Sequence, residues 1–334
     1  MARISVLGAG SWGIATSVLL CSNGHQVILW EFDRLELTKL LQQREHKRKL
    51  PGILIPGEIE ITGDLTAASG AEMLVLALPS HTLREVAKKV AELDLADPVI
   101  VNLAKGIENE TLCRMSEVLK QELPVELHEK TVTLSGPSHA EEVAAKIPTT
   151  VVVAGFREEI AKLVQDAFMN PYFRVYTNSD IIGVELGGSL KNVIAIAAGI
   201  CDGMGLGDNS RGALIARGLA EMIRLGEKMG AKRETFAGLS GLGDLVTTCV
   251  SKYSRNRYVG EQIGKGETLD NVLKGMAMVA EGVKTTKSAY QLSLRYEAEM
   301  PITEQVYRVL FEDKQPRQAI AELMTRDPKS EIWG

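Results

Sequence analysis

Short runs of aliphatic and β-branched residues recur through the first half of the chain, and longer amphipathic stretches separate them. Arg3-Ile4-Ser5-Val6-Leu7 opens the series, and the same pattern predicts strands at 26–31, 58–62, 72–79, 98–104, 131–135, 149–154 and 173–176. Between them apolar positions recur at helical spacing, most clearly at 82–92, 111–122 and 157–168. Strands that are apolar on both faces need cover on both, which alternating helices supply. The first half therefore predicts an α/β fold, a doubly wound and mostly parallel sheet of the Rossmann type. From about Ser179 the strand signal stops. Helical periodicity continues through 211–229, 269–276, 283–296, 303–311 and 316–324, broken by glycine turns, and predicts an all-α second domain. The pattern changes between 178 and 188, giving an α/β domain over 1–180 and a helical one over 181–334. No repeat or proline-rich linker separates the two, so they are expected to share a substantial interface.

The first strand runs into Gly8-Ala9-Gly10-Ser11-Trp12-Gly13, and the helical pattern that follows stops at Asn23-Gly24. This glycine spacing between a strand and a helix is a dinucleotide fingerprint. Gly8 permits the tight turn, Gly10 the close approach of a pyrophosphate and Gly13 the packing of helix on strand, while the helix N-terminus turns free N–H groups to the phosphates. The second strand ends in Glu31-Phe32-Asp33-Arg34. A carboxylate there, Glu31 or Asp33, bonds the ribose 2′-hydroxyl of NAD(H) and repels a 2′-phosphate, whereas Arg34, helped by Arg44, Lys47 or Arg48, would pair with that phosphate in NADP(H). Both readings stand, and dual use of the coenzymes is the expectation.

The bulk numbers narrow the rest. With 334 residues, 45% of them hydrophobic and 24% charged, the chain reads as an ordinary globular protein of about two domains. A formal net charge of −5 argues against a general affinity for nucleic acid or an anionic membrane, so an acidic ligand needs a local cluster of cations. Arg44-Glu45-His46-Lys47-Arg48-Lys49 reads as a solvated loop, with contact to a cofactor or ligand phosphate as the alternative. Cys21, Cys113, Cys201 and Cys249 are scattered, and His25, His46, His81, His128 and His139 show no metal-ligand spacing, so neither a disulfide framework nor a metal site is expected. The chain enters a strand within its first residues, and no uncharged apolar run reaches the roughly 18 residues of a membrane span; the expectation is a cytoplasmic protein without one.

In open α/β sheets ligands bind beyond the carboxyl ends of the strands. Those ends carry Leu78-Pro79-Ser80-His81, Asn102-Leu103-Ala104-Lys105-Gly106 and Ser135-Gly136-Pro137-Ser138-His139-Ala140. Lys105 faces the cofactor crevice or is a surface loop charge, and Gly136-Pro137-Ser138 is a tight turn into a helix whose N-terminus can receive an anion. In the second half Lys191-Asn192 interrupts a small, apolar helical run, with Leu186 and Leu190 before it and Val193, Ile194, Ala195 and Ile196 after. An ammonium there is either desolvated, with its pKa pulled toward neutrality and suited to proton transfer, or it snorkels out of a core helix. Ser240-Gly241-Leu242-Gly243-Asp244 delivers a carboxylate into a helix bearing Thr247 and Thr248, where Asp244 is a helix cap or part of a site. Ten residues on, Ser254-Arg255-Asn256 sets a guanidinium between a hydroxyl and an amide, a group that grips a phosphate bidentately, while Arg257 reads as a surface charge. Lys191, Asn192, Asp244, Thr248, Arg255 and Asn256 in a nicotinamide enzyme suggest a small phosphorylated alcohol or ketone as substrate.

Taken in order, Gly8-Ala9-Gly10-Ser11-Trp12-Gly13, Ala104-Lys105-Gly106, Ser135-Gly136-Pro137-Ser138, Gly188-Ser189-Leu190-Lys191-Asn192 with Asp202-Gly203, Gly243-Asp244-Leu245, Ser254-Arg255-Asn256 and Val279-Ala280-Glu281-Gly282 resemble the NAD(P)-dependent glycerol-3-phosphate dehydrogenases of the bacterial soluble type. The likeness covers nearly the whole chain. Many dehydrogenases share the glycine fingerprint; the ordered Lys-Asn, Gly-Asp-Leu and Ser-Arg-Asn series is specific to this family. The resemblance implies a second domain like the helical domain of 6-phosphogluconate dehydrogenase. It also implies interconversion of dihydroxyacetone phosphate and sn-glycerol 3-phosphate by hydride transfer with NAD(H) or NADP(H), supplying glycerol 3-phosphate for phospholipid synthesis. Lys191 would then be the proton donor and acceptor at the C2 oxygen, with Asn192 and Asp244 in the catalytic group. Lys105, Gly136, Ser138, Asp244, Thr248, Ser254, Arg255 and Asn256 would line the glycerol phosphate site. Ser11, Trp12, Phe32, Lys105, Ala140, Arg255, Val279 and Glu281 would contact the dinucleotide. Ser189, where Ala or Thr is commoner, and Leu206, where an aromatic is expected, depart from the family pattern and bear on packing of the substrate pocket. The apolar helices of the second domain point to a homodimer.

Two other readings remain open. A hydroxyacid or phosphogluconate-type dehydrogenase shares the fingerprint, the helical domain and a helical Lys-Asn, but its carboxylate substrate suits the Ser254-Arg255-Asn256 clamp less well. A non-catalytic dinucleotide sensor needs Gly8 to Gly13 but neither Lys191 nor Asp244.

Overall fold

The computed structural model describes residues 1–276 and 278–331. The eight strand signals of the first half become one sheet: β1 (Arg3–Leu7), β2 (Gln26–Trp30), β3 (Glu60–Thr62), β4 (Met73–Leu76), β5 (Val99–Asn102), β6 (Thr131–Ser135), β7 (Thr149–Gly155) and β8 (Phe173–Asn178), in the order β3-β2-β1-β4-β5-β6-β7-β8. All neighbours are parallel except β6 and β7, which run antiparallel with Val132 opposite Gly155. The helices of this half are α1 (Ser11–Ser22), α2 (Arg34–Gln43), α3 (Leu83–Ala91), α4 (Met115–Glu122), α5 (Ala140–Ala144) and α6 (Glu158–Phe168). Helix α4 starts later than the periodicity suggests, because Leu112 is left-handed (φ 62°) and the Arg114 N–H is capped by Glu117.

Alternation along the strands sorts their side chains into two apolar layers. Ile4, Val6, Val27, Leu29, Val75 and Val101 pack with Ile14, Leu20, Val164 and Phe168 on one face. Leu7, Trp30, Leu74, Leu76 and Ile100 pack with Leu83, Val86, Val118 and Leu119 on the other.

The sheet ends at Asn178, and the chain continues as α7 (Ile181–Gly203), α8 (Asp208–Lys228), α9 (Arg233–Phe236), α10 (Asp244–Val250), α11 (Arg255–Gly264), α12 (Leu269–Gly275), α13 (Glu281–Arg295), α14 (Pro301–Phe311) and α15 (Pro316–Met324). Helix α7 is buried on all sides, its few polar side chains included, and other helices surround it. Its mean hydropathy of 1.5 over 18 residues would suit a membrane span, but 94% of that window is buried inside the protein.

Glycines set how closely α11 lies against α7. A Cβ on Gly199 would stand 1.9 Å from the Arg257 carbonyl oxygen, and one on Gly260 1.9 Å from that of Ile196. Only glycine permits this approach, and it seats the first turn of α11, with Arg255 and Asn256, beside Lys191 and Asn192. The helical half is tied to the sheet through Glu185 of α7. Its carboxylate accepts from Arg114 (2.6 Å), the Ser116 N–H (2.7 Å) and Thr133 (3.2 Å).

Candidate active site

Strand order reverses between β1 and β4, and the crevice beyond their carboxyl ends is where this architecture receives a ligand. Gly8 has φ +111°, and a Cβ there would meet the Ala77 oxygen at 2.6 Å. A Cβ on Gly13 would sit 1.8 Å from the Gly8 oxygen, which brings α1 onto the turn. Gly10 faces open space, with nothing within 4 Å of a Cβ built there. The three positions thus fit a dinucleotide, with room left at the one that must face a pyrophosphate.

At the end of β2 the two carboxylates divide. Glu31 is buried, burial pushes its pKa up, and its Oε1 accepts the Asp33 N–H at 2.9 Å. Asp33 caps α2, its Oδ1 accepting from the N–H groups of Leu35 (2.8 Å) and Glu36 (3.1 Å), which holds its pKa below the ordinary value. Phe32 beside it is exposed, and Arg34 projects from the first turn of α2 without an ion pair among the described residues. The solvated-loop reading of 44–49 needs correction. Arg44 donates to the carbonyls of Ile55, Pro56 and Ile59, and His46 is buried, because the loop packs under its own polar side chains. Arg44 is therefore unavailable to a phosphate, whereas Lys47 and Arg48 are exposed.

Of the other residues expected at a dinucleotide, Ser11 is buried with Oγ 4.0 Å from Met278 Sδ, and Trp12 sets its ring 6.5 Å from that of Phe173. Glu281 at the start of α13 accepts hydrogen bonds from both the N–H and the hydroxyl of Ser80, which follows β4. Ala140 is buried at the start of α5, and Val279 is partly exposed. Helix α5 is only five residues long. Few aligned peptide dipoles back its N-terminus, so the expectation of an anion there finds little physical basis.

The centre lies where β5, β6, α7 and α10 converge. Lys191 is 6% exposed, and its Nζ donates to Asp244 Oδ1 (2.7 Å) and Thr248 Oγ1 (2.6 Å). Lys105, beyond β5, donates to Asp244 Oδ2 (2.7 Å) and to the Gly136 oxygen (3.0 Å). Asn102 fixes that loop by binding both backbone groups of Ala104. Burial draws the Lys191 pKa down to about 8, against the pull of Asp244. Burial pushes Asp244 up, but Lys105 and Lys191 outweigh it and hold the carboxyl below its ordinary value. Two sequence readings fall here. Lys191 does not snorkel, because Asp244 and Thr248 satisfy its ammonium inside the core. Asp244 caps nothing, because the π-type turn Leu239–Gly243 runs directly into α10 and leaves no bare N-terminus.

Around this centre the amides form a second network. Asn256 Nδ2 donates to Asn192 Oδ1 (2.8 Å), and Asn256 Oδ1 accepts the Gly282 N–H (2.9 Å), joining α7, α11 and the start of α13. Ser254 caps α11 by accepting the Arg257 N–H at 3.2 Å, and Ser138 donates to the Gly136 oxygen at 3.0 Å. Arg255 has no ion pair among the described residues; the protein packed around its guanidinium desolvates the charge and lowers its pKa, opposed by Glu281 and Glu141. Arg257 is not the surface charge expected: it is half-buried, and its Nε donates to Asp202 at 2.7 Å, because the close α7–α11 crossing places it on α7. Ser189 donates to the Gly106 oxygen at 3.2 Å, a bond between α7 and the Lys105 loop that alanine would lack. Leu206 is half-buried. Neither the Glu281–Ser80 contact nor the burial of His139 Nε2 was legible, since each depends on residues distant in sequence.

A glycine-lined dinucleotide crevice beside a buried lysine held by a carboxylate defines a two-domain nicotinamide-dependent oxidoreductase. Family comparison makes the class specific. The family model described as NAD-dependent glycerol-3-phosphate dehydrogenase N-terminus matches residues 3–161, and its C-terminus counterpart matches 180–321. The chain belongs to the NAD-dependent glycerol-3-phosphate dehydrogenase family. It is 52% identical over 333 residues to a glycerol-3-phosphate dehydrogenase [NAD(P)+] of Thermoanaerobacter sp. (strain X514), covering 99% of each chain. It is 53% identical over 331 residues to the enzyme of the same name from Chlorobium phaeobacteroides (strain BS1), again covering 99% of each. A crystal structure of glycerol-3-phosphate dehydrogenase from Coxiella burnetii superposes with a TM-score of 0.92 at 38% identity, covering 97% of this chain and 99% of that one.

Proposed function

We propose that the cleft around Lys191 interconverts dihydroxyacetone phosphate and sn-glycerol 3-phosphate, with Lys191 moving the proton at the C2 oxygen. The bound nicotinamide supplies or takes the hydride at C2. Gly8, Gly10 and Gly13 cradle its pyrophosphate, and Ser11, Trp12, Phe32 and Glu281 lie along the same crevice. In the reductive direction negative charge grows on the C2 oxygen, and the Lys191 ammonium, buried and oriented by Asp244 and Thr248, stabilises that charge and delivers the proton. In the oxidative direction the neutral amine takes the proton back. Lys105 balances Asp244 and adds positive potential. Arg255, which has no ion pair among the described residues, grips the phosphate away from the reacting carbon, so its binding energy orients the substrate.

The observation that carries this reading is the Lys191–Asp244–Lys105 array, in which one carboxylate serves two ammoniums. A sensor would have no use for a desolvated lysine. Following NADH and NADPH oxidation with dihydroxyacetone phosphate, against a panel of keto acids, tests it. Faster turnover of a keto acid would favour the hydroxyacid class, and tight NADH binding without any turnover would favour the sensor. The product is a precursor for phospholipid synthesis, which suits a cytoplasmic location. Leu242, Val246 and Val250 are exposed at four-residue spacing and support a homodimer through the helical half, which sedimentation would check.

A further inference from the structure

His139 is the residue before α5, at the end of the turn that follows β6. Its Nε2 is buried and has no hydrogen-bond partner among the described residues. Its ring lies 5.8 Å from that of Tyr253, in the turn that leads into Ser254 and Arg255, so a ring from the sheet half meets one from the helical half beside the cleft. The charged groups that act on it are Lys191, Asp244, Lys105 and Arg255, the same groups that form the site.

A buried polar nitrogen without a partner is expensive, and native proteins rarely leave one unless a ligand or water completes it. The neighbours do not complete this one, since both lysines are directed at Asp244 and its surroundings. A triose phosphate brings three polar groups. Its phosphate is drawn to Arg255 and its C2 oxygen to Lys191, which leaves the C1 hydroxyl. We infer that His139 Nε2 pairs with this hydroxyl and is a specificity-determining residue, letting the site tell a hydroxymethyl ketone from a methyl ketone. A hydroxyl both donates and accepts, so it satisfies Nε2 in either tautomer. The imidazole stays neutral here, as burial and then Lys191 draw its pKa down to about 4. A site built to bond a substrate hydroxyl discriminates against the analogue lacking it, because the site's own polar atom is then stranded.

The assignment rests on the reading of the cleft as a triose phosphate site, and the experiment separates the two. Wild type, His139→Phe and His139→Gln are assayed with NADH and either dihydroxyacetone phosphate or hydroxyacetone phosphate, which has the same ketone and phosphate but a methyl group at C1. The phenylalanine variant is expected to lose about tenfold in kcat/KM on dihydroxyacetone phosphate, mostly through KM, and less than about twofold on the methyl ketone. Glutamine, whose amide reaches close to the position of Nε2, should recover part of the preference. The ligand-free His139→Phe protein should melt no lower than wild type, since an unpaired nitrogen gives way to an apolar ring. Equal losses on both substrates, or no loss on either, overturn the assignment. Wild type that turns over neither ketone overturns the underlying reading instead. Should His139→Phe fail to fold, His139→Leu reads the same discrimination.

Discussion

Replacing Lys191 with methionine separates proton transfer from folding, because methionine keeps the length and apolar stem of lysine while removing the ammonium. The centre holds Lys105 and Lys191 against one carboxylate, Asp244, and so carries one net positive charge. The variant leaves the Lys105–Asp244 pair, 2.7 Å apart, with Thr248 still 3.2 Å from the freed Oδ1. Breaking a buried ion pair costs about 3–5 kcal/mol when it strands a charge. Here Lys105 keeps Asp244 paired, so that penalty is largely absent. The opposite term is favourable: burial lowers the Lys191 pKa from 10.5 to about 8, a bias of about 3 kcal/mol against the charged form, which the variant no longer bears. Lys191→Met should therefore melt at or above the wild-type temperature. A positioned general acid contributes about two to four orders of magnitude, and kcat should fall by that factor. NADH affinity, read from the fluorescence of the bound coenzyme, should be unchanged, since the fingerprint glycines are untouched. A variant keeping more than about a tenth of wild-type kcat would refute the proton-transfer role, and a large drop in melting temperature would refute the charge argument.

The same lysine sets the pH dependence. Reduction needs its protonated form, so kcat for reduction should be full below about pH 8 and decline as pH rises through it, while oxidation rises over the same range; profiles that move together in both directions at saturating coenzyme would contradict this. Arg255→Lys keeps the charge but loses the planar two-donor fork, and should raise KM for dihydroxyacetone phosphate about tenfold or more while sparing a phosphate-free analogue; an equal effect on both would remove Arg255 from the phosphate. Arg34→Ala is the clean probe of coenzyme choice, since Asp33→Ala would also lose a helix cap. It should weaken NADPH by about ten- to a hundred-fold and leave NADH alone, and an equal change in both dissociation constants would exonerate Arg34. Gly260→Ala forces a Cβ against the Ile196 carbonyl and should destabilise the protein by about 1–3 kcal/mol in urea titrations, whereas a neutral result would mean that α11 can retreat from α7 freely.

Local physics wrote the elements and the fingerprint into the sequence. The central strands β1, β2, β4 and β5 could be seen as apolar runs, because a strand buried on both faces admits little else, whereas the edge strand β8 showed itself by alternation, buried at Phe173 and Val175 and exposed at Arg174 and Tyr176. Gly8, Gly10 and Gly13 were legible because their roles depend on backbone conformation a few residues away. Lys191 stood out because its immediate neighbours in the helix are apolar. What those signals lacked was partnership. Asp244 lies 53 residues from Lys191 and 139 from Lys105, and nothing in its own neighbourhood distinguishes a helix cap from the carboxylate between two ammoniums. The antiparallel seating of β7 was likewise invisible, since strand periodicity carries no direction. Arg257 read as a surface charge until the glycines of α7 and α11 brought the two backbones together and turned it onto Asp202. His139 looked like any residue of a turn, and only the fold, with Tyr253 from the other half of the chain against its ring, leaves its Nε2 buried beside the charged centre. The sequence by itself determined which segments are strands and helices and where the tight glycine turn between the first strand and helix lies, because those depend on contacts within a few residues; tertiary structure decided which charges neutralise which, because desolvation and ion pairing act between segments that only the fold brings within reach.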